Sequence, residues 1–207
     1  MDQQRRVRPE LAFENQPPPR RLAPHAAAIG ATVHDPDLGA GDDADTEIGW
    51  ASFVLLYDPA GQAGWAGPFR VIAYIRAELE PEIAADPLIG QVGWSWLTEA
   101  LDTRTAGYAQ ISGTVTRVVT EGFGAKQAEP VATGFELRAS WSPAGLPATP
   151  ADAVRSAATP ATAHPDSAPG DLDGHVAAWC DALCTAAGLP PLPAGVSPLR
   201  PRSRRRP

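Results

Sequence analysis

Two cysteines stand one helical turn apart, Cys180 and Cys184 in the run AWCDALC. That spacing lets a helix present paired thiols to a metal or a redox partner. A tetrahedral metal needs two further ligands close by. His175 is the local candidate, and by helical phase it falls on another side of the same helix. Cys180 shares its face with Val176 and Leu183, where free cysteine packs as a small hydrophobe. The expectation is two reduced, metal-free thiols.

The acids offer two arrangements. Asp42, Asp43, Asp45 and Glu47 cluster as in a calcium loop, but the glycine at the sixth position and the distal bidentate glutamate are missing. The run reads as a solvated turn. Asp58, Glu78 and Glu80 outline the alternative of an enzyme of unassigned class, since paired carboxylates do acid–base work when burial raises one pKa. Pro81 breaks that run and favours a solvated edge. His25, His34, His164 and His175 are scattered, and no nucleophile elbow, zinc-helix motif or phosphate loop occurs. No catalytic residue, cofactor site or metal site is assigned.

Tryptophan is the remaining candidate chemistry, for recognition. Trp50, Trp96, Trp141 and Trp179 lie on apolar stripes and are expected in the core. Trp65 sits in the glycine-rich loop GQAGWAG, and Trp94 falls with Gln91 and Thr98 on the polar side of its helix. Exposed tryptophan is a frequent interface anchor. Trp94 and Trp65 are therefore the candidate interaction residues.

The elements that must position these residues follow from periodicity. Residues 26–34 suggest a short strand. The run 48–57 is apolar on both faces, as in a central strand covered on each side. Asp58-Pro59-Ala60-Gly61 is turn chemistry. Phe69, Val71, Ala73, Ile75 and Ala77 alternate with Arg70, Ile72, Tyr74 and Arg76, which is a strand with two distinct faces. Asp86 as N-cap and Pro87 at the first position open a helix over 87–102, with Leu88, Ile89, Val92, Trp96, Leu97 and Ala100 on its apolar face. Strands follow at 111–120 and 131–141. Asp171 opens a last helix, ended by Gly188. The fold expected is α+β, an antiparallel sheet with two helices on one face in the order βββ-α-ββ-α, leaving a polar face open.

Composition divides the chain. Of 23 prolines, most stand before residue 25, between 143 and 170, and after 190. This gives an irregular basic lead-in at 1–24, a main domain at 25–142, a Pro/Ala-rich linker at 143–170, a completing helix at 171–192, and a disordered basic tail at 193–207. The net charge is −7, yet five arginines fall in the first 21 residues and five in the last eight. An acidic body repels a phosphate backbone, so nucleic acid is met only weakly, through the Arg-rich ends. No run approaches the roughly 20 apolar residues of a membrane span. No signal peptide is evident, which points to a cytoplasmic protein.

The runs LYDPAG (56–61), RAELEPE (76–82), ADPLIGQVGWSWLTEAL (85–101), SGTVTRV (112–118), ELRASW (136–141) and AWCDALCTAAGLPP (178–191) resemble an uncharacterised actinobacterial family, domain of unknown function number 3000. The resemblance spans about residues 7–192 and implies no activity. It does imply an amphipathic helix ahead of the RVRPEL segment, whereas Met1 here stands six residues before Val7. With that third helix the order becomes that of secretion-chaperone-like folds, which bind protein segments without catalysis, an analogy of fold alone. The leading expectation is a non-catalytic protein-binding or chaperone-like module whose partner is another protein or a second copy. An enzyme or a nucleic-acid-associated factor is the alternative.

Overall fold

The computed structural model describes residues 8, 10–35, 47–105, 107–146 and 172–189. Its strands are β1 (Leu11–Gln16), β2 (His25–His34), β3 (Glu47–Tyr57), β4 (Phe69–Glu78), β5 (Tyr108–Thr120) and β6 (Ala132–Pro143). Its α-helices are α1 (Pro81–Ala84), α2 (Ile89–Arg104) and α3 (Asp173–Ala186). All six strands join one sheet in the order β1-β2-β3-β4-β6-β5, and every neighbouring pair is antiparallel. The expected α+β class holds, and β6 slots between β4 and β5.

Register explains the core. Phe53 pairs with Ala73, Ala73 with Ala139, and Ile75 with Leu137. Directly paired residues share a face, so these belong to one apolar surface, and all are buried. Helices α2 and α3 cover that surface. Trp179 of α3 stacks 5.6 Å from Phe53, and Phe135 of β6 lies under Gly93 of α2. Arg104 Nε donates to Asp181 Oδ2 at 2.7 Å and ties the two helices together.

Several expectations are corrected. The lead-in at 1–24 holds β1, an edge strand paired with β2 through Leu11↔Val33 and Phe13↔Ala31. The short α1 was not anticipated. Asp86 caps a turn rather than the helix: its Oδ1 accepts the Leu88 N–H at 2.8 Å, and α2 starts at Ile89. Its buried face runs through Ile89, Gly93, Leu97 and Leu101, while Leu88 and Val92 are exposed. The stripe is rotated because Gly93, having no side chain, makes the closest approach to the sheet. Strand β3 is covered by helices on one face only. Strand β6 continues through Pro143, two residues beyond its expected end. Residues 147–170, the tail at 193–207, and Asp42, Asp43, Asp45 and His164 lie outside the described residues. No described helix is long and apolar enough to cross a membrane.

Candidate functional site

The face of the sheet turned away from α2 and α3 carries Trp50, Ser52, Val54 and Leu56 of β3, then Arg70, Ile72, Tyr74 and Arg76 of β4, beside Glu136, Arg138, Ser140 and Ser142 of β6. It was expected to be polar; it is mixed. Trp50, placed in the core by its apolar neighbours, lies on this face partly exposed, with its ring 5.7 Å from that of Tyr74. Arg138 sits 5.3 Å above the Tyr74 ring and donates to Glu136 Oε2 at 3.0 Å. Cation–π contact and ion pair together hold Arg138 along the strand. Burial, followed by the hydrogen bond to Glu136, raises the Tyr74 pKa above its ordinary value.

One end of the face is closed. The segment 58–68 folds over it, starting from the predicted turn: Asp58 Oδ1 accepts the Ala60 N–H at 3.0 Å, and Gly61 takes φ 68°. The Ala66 N–H reaches Ser142 Oγ at 2.9 Å, and Gln62 Nε2 donates to the Leu22 carbonyl at 3.0 Å. Leu56 is buried beneath this cap. What remains is an open groove of about 890 Å³ lined by Leu22, Trp65, Arg70, Ile72, Arg138 and Ser140.

Arg70 is the unusual lining residue, only 9% exposed. Its Nη1 donates to the Gln110 carbonyl at 2.9 Å and to Ser142 Oγ at 3.5 Å, and its Nη2 to Ser140 Oγ at 2.7 Å. All three acceptors are neutral. Desolvation lowers its pKa from the ordinary value. The Gln110 carbonyl is available because β5 is irregular between Ala109 and Ser112, where Gln110 adopts φ 54°. Bulges of this kind often re-aim groups at functional sites.

The other sequence candidates are placed elsewhere. Trp94 packs over Gly113 of β5 and against the core, not on a polar helix side. Asp58 holds its turn and also accepts from Gln62 Nε2 at 3.1 Å. It stands beside the start of β4, through the Asp58 N–H bond to the Pro68 carbonyl, whereas Glu78 ends that ten-residue strand. Asp58 is thus about 30 Å from Glu78 and Glu80 by strand rise. The carboxylate site is not assembled. Glu47 begins β3.

Cys180 and Cys184 lie along α3 beside Arg8, Leu11 and Phe13. Burial pushes Cys180 up to about 12 and Cys184 up to about 11. Such thiols are poor nucleophiles at neutral pH. His175 is buried and accepts the Trp141 Nε1 hydrogen at Nδ1, 3.2 Å away. No group of three or more His, Cys, Asp and Glu among the described residues is placed to hold a metal ion.

Sequence reasoning missed Arg70, Gln110, Trp50 and Tyr74. The usable signal was an arginine on a strand whose partner strand offers Ser140 and Ser142 two apart, but strand pairing is not legible from periodicity.

Fold and site together define an antiparallel α+β sheet protein, helix-covered on one face and bearing a capped groove on the other. The chain belongs to the family described as Protein of unknown function (DUF3000), whose model matches residues 1–197. No curated protein and no solved structure matches it.

Proposed function

We propose that the protein is a non-catalytic binding module that takes a protein partner on the open face of its sheet. One observation carries the reading: Trp50, Tyr74, Ile72 and Val54 form a partly exposed aromatic and aliphatic stripe that neither α2 nor α3 covers. Aromatic residues flanked by arginine are what protein interfaces enrich at their centres. Trp65, at the capped end of the same face, extends the stripe. A second copy of the chain is the other partner the same surface could take.

The test is affinity capture from the native extract with the parent, Trp50→Ala, Arg138→Glu and a control, Glu99→Ala on the exposed side of α2. The first two variants lose a specific partner that the control retains. Sedimentation of the purified chain separates a second copy from a different protein. Equal capture by all four proteins would sink the reading.

A further inference from the structure

We propose that the capped end of the groove binds a small carboxylic acid with an apolar body, the carboxylate on Arg70 and the body against Trp65 and Leu22. This goes beyond the protein-docking reading and does not depend on it: the two surfaces share Trp65 and Ile72, but the docking stripe centres on Trp50 and Tyr74, and this site on Arg70 near the start of β4.

Charge is the first argument. Little of Arg70 is exposed, and a guanidinium partly withdrawn from water into a groove gains from a counter-charge. Among the described residues no carboxylate lies within ion-pair distance of it, whereas Arg104 has Asp181 and Arg138 has Glu136. Burial lowers its pKa with no acid offsetting the effect. An anionic ligand supplies what the fold leaves out.

Geometry is the second. Ser140 and the Gln110 carbonyl clamp the guanidinium before any ligand arrives. Gln110 does so from a left-handed backbone at φ 54°, which a non-glycine residue adopts only at a cost. Of five N–H donors, three are used by Gln110, Ser142 and Ser140. Two remain, the number a carboxylate's two oxygens accept.

The third argument selects the class. One unmatched positive charge suits a monoanion. A phosphate monoester, close to dianionic at neutral pH, calls for a second free cation; Arg138 also lines the groove, but it is engaged by Glu136 and the Tyr74 ring. Leu22 and Trp65 offer apolar surface, which suits a hydrocarbon or aromatic body.

The experiment titrates the full chain with phenylacetate, phenylacetamide and phenyl phosphate while recording amide and indole NMR signals. The Trp65 indole signal is assigned by its loss in Trp65→Phe. Phenylacetate should shift the Trp65 indole and Gln110 amide saturably, and bind at least tenfold tighter than either of the other probes. Arg70→Lys, which keeps the charge but loses the planar fork, should weaken phenylacetate at least tenfold. Should that variant fail to fold, the three-probe comparison on the parent still decides. Equal binding of acid and amide, tighter binding of phenyl phosphate, or no saturable shift up to about 50 mM phenylacetate overturns the proposal. None of these outcomes requires a protein partner, so the two readings fail separately.

Discussion

Gly93 of α2 and Phe135 of β6 meet so closely that a Cβ on the glycine would overlap the ring edge and stand 2.7 Å from Cζ. This contact sets both the depth and the rotation of α2. On an exposed helix, Gly→Ala gains about 1 kcal/mol. Here Gly93→Ala should instead cost about 1–3 kcal/mol through overpacking, read by urea denaturation. Phe135→Leu on that background should recover part of the loss. A stabilised Gly93→Ala would mean that α2 sits farther from the sheet.

The same rotation brings Trp94 onto Gly113, where an added Cβ would lie 2.6 Å from Trp94 Cζ3. Trp94→Ala should therefore lower the unfolding free energy by about 2 kcal/mol, less than for a fully buried tryptophan. Unchanged stability would return Trp94 to the surface role that helical phase alone suggests.

How far the fold was legible depends on where the signal sits. Phe69 to Ala77 and Phe135 to Trp141 alternate cleanly because one face of each strand meets helices and the other does not. The phase of α2 was misread because its deepest residue, Gly93, is not a hydrophobe, while Val92 beside it is and remains exposed. Strand β1 was hidden because, as an edge strand, it buries little of either face. At the site, Trp65 was legible from its loop. Arg70 was not, because its environment joins residues 70, 110, 140 and 142 through non-local pairing, and no local period encodes which strands become neighbours.

The cysteines give a pH prediction. Both folded pKa values, about 12 and about 11, lie above the ordinary 9.0. Folding therefore favours the protonated thiols, and their contribution is fully present below about pH 9. It declines as pH rises through the folded values, because the unfolded chain then releases protons that the native chain keeps. The urea midpoint should fall above pH 9, and less in a Cys180→Ala, Cys184→Ala double variant. Iodoacetamide at pH 8 should label the native thiols at least a hundredfold more slowly than the urea-unfolded chain, by thiolate fraction. Fast native labelling would place the thiols in contact with solvent.

Trp141 and Trp179 are both fully buried and both pack on Phe53, at 6.2 and 5.6 Å between rings. Their indole nitrogens differ. Trp141 Nε1 donates to His175 Nδ1, whereas Trp179 Nε1 finds no acceptor among the described residues. Replacing either ring by phenylalanine removes similar volume. Trp141→Phe also takes the donor away from a buried histidine nitrogen, a loss of about 1–3 kcal/mol. Trp179→Phe removes an N–H that was desolvated without compensation, which offsets part of its packing loss. Trp141→Phe should thus be the more destabilising by about 1–3 kcal/mol in urea denaturation. Equal costs for the two single variants would show that the Trp141–His175 bond adds nothing beyond ring packing.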